Sequence, residues 1–181
     1  MRIPGGCRRC GSLRCSHVAA FFQQCLKLDP KNVKAEDNLG LSHQALGHAD
    51  EALAAFRNAI AWQAQLLTKN SGPFINIGIL LLEQNKVEDA VAYLTEAVEI
   101  SPEEPRAHEQ LGKAYSRQND LPKAQGELER AVSLSPDNAA LHFVLGQLYR
   151  KQGMNEKARA ELERGAALKA SGAKPKTPPP D

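Results

Sequence analysis

Four cysteines, at positions 7, 10, 15 and 25, are the residues of this 181-residue chain whose type and spacing come nearest to metal chemistry. Cys7 and Cys10 form a C-x-x-C pair with Cys15 close behind, which is half of a tetrahedral zinc site. The other half is missing, because Cys25 falls on a helical pattern and His17 is the one nearby imidazole. The expectation is a reducible, disordered N-terminal segment with no metal, and no cofactor elsewhere. His108 and His142 are the next candidates, and they lie 34 residues apart. No H-E-x-x-H, G-x-S-x-G or phosphate-cradling glycine loop occurs, so no catalytic constellation is in view and the chain reads as a non-enzyme.

The spacing of the two histidines is the spacing of the whole chain. Gly78, Gly112 and Gly146 recur at an interval of 34, as do Ala90, Ala124 and Ala158, then Leu94, Leu128 and Leu162, then Pro102 and Pro136. Self-similarity at such a period signals a repeat array, which has to be recognised before any local reading. An earlier copy runs through Leu39-Gly40, Ala52, Phe56 and Ala59, but Gly40 to Gly78 is 38, with four extra residues in the stretch Gln65 to Asn70. Four residues are about one helical turn, so the expectation is a lengthened helix that keeps its apolar face. Val18, Phe22, Cys25 and Pro30 match only the second half of a unit.

Within a unit the apolar spacing is helical. Leu111, Ala114 and Tyr115 form one stripe, and Leu121, Ala124, Leu128, Ala131 and Val132 form another. Gln118-Asn119-Asp120 between them is a turn, with Asp120 placed to cap the following helix and Pro122 tolerated in its first turn. Glu103 and Glu104 sit where the positive end of the next helix favours acids. Small residues in the glycine and alanine columns let two helix axes approach, and large ones fill the gap to the next unit. His108 and His142 then occupy equivalent places, filled by Phe74 in another unit, and are read as packing residues. His43 takes an aromatic column. Trp62 is read as a lid over the irregular junction after the first unit, and the mixed charges of Glu156 to Glu161 as a solvated face with local ion pairs.

These columns resemble the tetratricopeptide repeat, a 34-residue helix-turn-helix unit with the pattern L-G-x-x-Y, A-x-x-x-F, P. The matching stretches are Leu111-Gly112-Lys113-Ala114-Tyr115 with Ala124, Leu128, Ala131 and Pro136, and Leu145-Gly146-Gln147-Leu148-Tyr149 with Ala158 and Leu162. The second unit has Leu81 in the tyrosine place, and the first has His43 there and Ala64 in the proline place. The resemblance covers about residues 18 to 169 and implies an all-α, right-handed superhelical solenoid. The expected organisation is an irregular basic segment 1–16, a half repeat 17–32, repeats at 33–70, 71–104, 105–138 and 139–169, and a disordered Pro/Lys tail 170–181.

Charge and composition narrow the partner. The net charge is +2, yet residues 1–16 carry +4 and residues 169–181 carry +2, which leaves −4 for the body. An acidic body is a poor surface for phosphate backbones, so nucleic acid is not expected. No apolar run approaches the roughly 20 residues of a membrane span, and no signal-peptide core follows the basic start, so cytoplasmic placement is the default.

In solenoids of this resemblance the first helices line the concave side. That implies a protein or peptide ligand against Asp37, Asn38, Leu41, Ile75, Asn76, Ile79, Leu82, Glu109, Gln110, Lys113, Arg117, Phe143, Gln147 and Arg150. The reading is a non-catalytic interaction scaffold or adaptor; the alternative is a regulatory or substrate-binding repeat fragment of a larger enzyme. The half repeat, with Phe21, Phe22, Leu26 and Leu28, is expected to self-associate or fray. Some family members clamp chaperone-tail carboxylates with lysine, asparagine and arginine. The corresponding places hold Asp37, Leu41, Asn76, Arg106 and Gln110, or Ile75, Ile79, Gln110, Ala140 and Val144, so such tails should be refused.

Overall fold

The computed structural model describes residues 12–64 and 66–172, all of whose regular structure is α-helical. Cys7, Cys10 and the tail from 173 onward lie outside the described residues. The described residues fall into two compact units, one up to Pro102 and one from Glu103.

The first unit holds α1 (Ser12–Leu28), α2 (Val33–Leu46), α3 (Ala49–Gln63), α4 (Gly72–Glu83) and α5 (Val87–Ile100). The second holds α6 (Pro105–Arg117), α7 (Leu121–Leu134), α8 (Ala139–Lys151) and α9 (Asn155–Gly172). Helices pack in consecutive pairs: α2 on α3, α4 on α5, α6 on α7 and α8 on α9, with α1 against α2. Two boundaries differ from the sequence expectation. Helix α1 begins at Ser12, inside the segment read as irregular, and α9 runs through 170–172, read as tail.

One local device closes all four pairs. Each first helix ends on a residue with positive φ: Gly47 (81°), Asn85 (59°), Asn119 (62°) and Gly153 (76°). The next amide then reaches back five residues, from His48 to His43, Lys86 to Leu81, Asp120 to Tyr115 and Met154 to Tyr149. This is the C-terminal motif that Gly and Asn favour because they adopt the left-handed conformation at low cost. The starts are capped as well: Asn32 accepts from the Ala35 amide at 2.9 Å, Glu104 from Arg106 at 3.1 Å, Asp120 from Lys123 at 3.3 Å and Asn138 from Ala140 at 3.0 Å. Lys123 also bonds the Asp120 carboxylate, holding its pKa below the usual value.

Inside each pair the glycine column sets the helix–helix approach. A Cβ on Gly40 would sit 2.5 Å from the Phe56 ring, and one on Gly78 2.5 Å from Leu94. At Gly112 and Gly146 the same atom would meet Leu128 and Leu162 at 2.7 and 2.8 Å. Ala52, Ala90 and Ala124 are fully buried beside them. These residues form the cores of the pairs, with Leu145, Leu148, Tyr149 and Ala158 joining Ala124 and Leu128 in the second unit.

The four extra residues do not lengthen a helix. Helix α3 stops at Gln63, and the chain crosses to α4 in a loop closed by the Gln63 side chain. Its Nε2 donates to the Asn70 carbonyl at 3.0 Å, and its Oε1 accepts from the Asn70 amide at 2.8 Å. The buried amide satisfies itself on the loop backbone, and the Ser71-Gly72-Pro73 sequence starts α4 with proline in its first turn. Trp62, on the last turn of α3, is half-buried.

Candidate peptide-binding groove

Helices α6 and α8 are first helices one repeat apart, so their residues fall in register: Lys113 with Gln147, Ser116 with Arg150, and Arg117 with Lys151. In the second unit these six residues line one groove of about 500 Å³, with Leu128, Val144 and Leu148 as its apolar part. Arg117, Gln147, Arg150 and Lys151 are exposed, and Lys113 is half-buried. The arrangement is cationic at the rim and apolar beneath, so it can take an apolar side chain while its Lys and Arg groups meet carboxylates.

The groove is built by bonds within the second unit. Lys151 Nζ donates to the Ser116 carbonyl at 2.6 Å, placing a cation on the negative end of α6 and tying α8 to it. Gln152 Nε2 donates to Leu121 O at 3.3 Å and to Gln125 Oε1 at 3.1 Å, which holds the end of α8 on α7. The Tyr149 hydroxyl donates to Glu129 at 2.7 Å, and burial together with this carboxylate pushes the phenol pKa up. Lys113 is steadied by Glu109 one turn away on α6.

Of the fourteen residues expected on a ligand face, Lys113, Arg117, Gln147 and Arg150 are brought together here. Glu109 and Gln110 are half-buried on α6, with Glu109 committed to Lys113. Phe143 turns away from the groove. Its Cδ2 packs 3.2 Å from where a Cβ on Gly165 of α9 would stand. In the first unit, Asp37 and Asn76 are joined by a 2.8 Å bond between α2 and α4. Asn38 donates to its own helix at Lys34 O, and Leu41 and Ile79 are half-buried.

Ile75, Asn76 and Leu82 are corrections to the expected ligand face, at 2%, 2% and 5% exposure. The sequence of α4, GPFINIGILLLE, has almost no polar side, and a helix that is apolar all round is buried on more than one face. Those three side chains are not accessible to an approaching peptide.

The structure also shows pairs that the sequence reading missed. His108 Nδ1 lies 2.6 Å from Glu127 Oε2, and His142 Nδ1 lies 2.6 Å from Glu161 Oε2. His142 Nε2 faces the Pro136 carbonyl at 2.8 Å, so its ring is held at both ends. Glu161 is therefore half-buried and tied to the buried His142, and is not simply part of the solvated charge run. Glu127 and Glu161 are themselves 34 apart, and that interval was the available signal. In the first pair the same place holds Glu36, buried, accepting from Asn58 at 2.8 Å. His43 is half-buried, and its buried Nδ1 has no hydrogen-bond partner.

Three models of the tetratricopeptide repeat match the chain, at residues 37–66, 81–132 and 109–175, together more than half its length. The chain belongs to the tetratricopeptide repeat family. Its fold is an all-α tetratricopeptide solenoid, and as a family member it is a protein-interaction scaffold. Among solved structures it is similar to MamA, at 18% identity and a TM-score of 0.74 over 97% of this chain and 100% of that one. PilF of Pseudomonas aeruginosa matches at 22% identity and a TM-score of 0.76, covering 86% and 69%. YrrB, a tetratricopeptide protein with an unusual peptide-binding site, matches at 22% and 0.66, covering 87% and 79%. No curated protein sequence matches. Among the described residues no helix is long and apolar enough to cross a membrane, and no three His, Cys, Asp or Glu residues gather to hold a metal ion.

Proposed function

We propose that this chain is a non-catalytic adaptor that holds an acidic, partly apolar segment of another protein in the groove of α6, α7 and α8. The observation that carries the reading is the register of α6 and α8. It brings Lys113, Arg117, Arg150 and Lys151 around Val144 and Leu148 in one cleft. A desolvated carboxylate needs charge-assisted donors, and an exposed lysine or arginine rim supplies them. The fold likeness to YrrB, which has a peptide-binding site, is consistent with this use of the scaffold.

The ligand is an extended or helical segment with a leucine-sized side chain flanked by glutamates, held with modest affinity. Calorimetric titration of the full chain with such a peptide, acetylated and amidated at its ends, is the test. Binding is expected on the order of 10 µM and to weaken at least about tenfold in Arg150→Glu, with a clear salt dependence. Binding that is indifferent to Arg150→Glu and to salt would overturn the assignment.

A further inference from the structure

The groove of α6, α7 and α8 is unevenly charged along its length. At one level Lys113 of α6 faces the register position of Gln147 on α8, and this level is close to neutral, because Glu109 pairs with Lys113 and the glutamine has no charge. One turn further on, Ser116 and Arg117 of α6 stand level with Arg150 and Lys151 of α8. That end carries three cations, and none of the described residues lining the groove is acidic. Acids elsewhere in the unit are engaged on partners of their own: Asp120 with Lys123 at 3.0 Å, and Glu129 with the Tyr149 hydroxyl at 2.7 Å. The charge of this end also runs against the body of the chain, which is −4 over residues 17–168.

Three cations gathered at one end of a cleft call for an anion that is equally compact. Carboxylates bring one charge each, so matching this end would crowd several acidic side chains together against their own repulsion. A phosphorylated serine or threonine brings about −1.5 to −2 charges and three acceptor oxygens on a single side chain. Arg117 and Arg150 are exposed and come from two different helices, and a guanidinium fork suits two phosphate oxygens at once. Lys151 is anchored by the hydrogen it donates to the Ser116 carbonyl at 2.6 Å, and its ammonium has two further N–H groups. Val144, half-buried on the groove floor, precedes Arg150 by six residues of α8, a rise of about 9 Å. An extended peptide covers that distance in about three residues.

We infer that this groove prefers a phosphorylated segment of its partner protein, with the phosphate of a phosphoserine or phosphothreonine held by Arg117, Arg150 and Lys151. An apolar side chain about three residues away in the segment rests on Val144. The inference rests on the proposed function and adds to it the chemical form of the ligand. Charge selects a phosphopeptide over the other sources of phosphate. A nucleic acid or an anionic bilayer presents an extended array of negative charge to the acidic body, whereas a phosphopeptide presents its charge to the cationic end of the groove alone.

The test is calorimetric titration of the full chain with capped peptides that differ at one position: serine, glutamate or phosphoserine, three residues from a leucine, with the leucine before it in one set and after it in the other. In one of the two orders the phosphoserine peptide is expected to bind at least about tenfold more tightly than the glutamate peptide, with the serine peptide weakest. That gain should be lost in Arg117→Gln and in Arg150→Gln. Both positions are exposed, so the variants will fold, and circular dichroism checks that they do. Equal affinity for the phosphoserine and glutamate peptides overturns the inference and leaves the acidic-segment reading standing. Absence of binding by either peptide overturns both. A phosphoserine gain that survives both arginine variants overturns the inference, because the phosphate then sits elsewhere. So does tighter binding to phosphatidylserine vesicles or to a single-stranded oligonucleotide than to the phosphopeptide.

Discussion

Helices α4 and α6 hold equivalent places in adjacent repeats and share the same glycine column, yet their outward faces have opposite fates. Helix α4 has no basic residue and a single acid, Glu83, and nine of its twelve residues are buried. Helix α6 buries a narrow stripe of Ala107, His108, Leu111, Gly112 and Ala114 and shows Glu109, Gln110, Lys113 and Arg117 on its other sides. The columns that make a repeat are common to both. What differs is the set of positions the repeat leaves unspecified, and those decide how much of a first helix is buried. On the proposed function, the array would stabilise itself with one unit and recognise a ligand with the next.

The largest effects will come from the shared columns and should ignore the difference between the two helices. Gly78→Leu and Gly112→Leu each drive a side chain into Leu94 or Leu128, which already stand 2.5 and 2.7 Å from the new Cβ. Overpacking of this kind costs about 1–3 kcal/mol or more. Both variants should melt well below the parent, and a tolerated Gly112→Leu would show that the columns are not equivalent. Ala124→Leu, in a fully buried place, should likewise cost more than Ala167→Leu on the exposed side of α9.

Next come the positions where α4 and α6 differ. Ile75→Ala removes a side chain that is 2% exposed and should cost about 2–5 kcal/mol of stability. Lys113→Ala should change stability by no more than about 0.5 kcal/mol while weakening an acidic peptide. Thermal melts and titrations on the two variants separate the roles. A stable Ile75→Ala that loses peptide would reverse the comparison.

Smaller effects distinguish two glutamates that the sequence places in one charged stretch. Glu161→Ala leaves the buried His142 Nδ1 without its acceptor and should cost about 1–3 kcal/mol. Glu163, paired with Arg159 at 3.1 Å on an exposed face, should cost only about 0.2–0.5 kcal/mol when replaced by alanine. Equal melting shifts would mean the His142–Glu161 pair contributes nothing beyond a surface ion pair.

The repeat columns were legible because they recur: Gly40, Gly78, Gly112 and Gly146 each meet their large partner in the same way. The cap at Asp120 was legible from local chemistry, whereas at Glu104 only the preference of an acid for the helix start was legible, not the cap bond it makes. The loop after Gln63 was not, since four added residues equal one helical turn arithmetically. The choice against helix lies in a side-chain amide bonding to the backbone seven residues on. Ile75 and Leu82 were misplaced for a different reason. In a helix that is apolar on nearly every side, periodicity does not say which face points outward. Lys113, Arg117, Gln147 and Arg150 line one cleft because α6 and α8 are amphipathic, so their polar residues report the outward side.

The smallest expected effect is none, and it bears on the first helices of the first unit. A two-carboxylate clamp for a chaperone tail needs lysine, asparagine and arginine with free donors on successive first helices. Asn76 is the one clamp-type amide on α4, and its Nδ2 is spent on Asp37 at 2.8 Å, with the side chain 2% exposed. Freeing it would break the Asp37–Asn76 bond, and Asp37 itself repels an incoming carboxylate at the place where the clamp wants a cation. A peptide ending in the acidic chaperone motif should therefore give no calorimetric signal that depends on its terminal carboxylate. Amidating the terminus should change nothing, while any weak binding through side-chain acids should follow Arg150 and Lys113. Micromolar affinity lost on amidation would show that α4 opens to ligand after all, and that burial at Ile75, Asn76 and Leu82 does not separate it from α6.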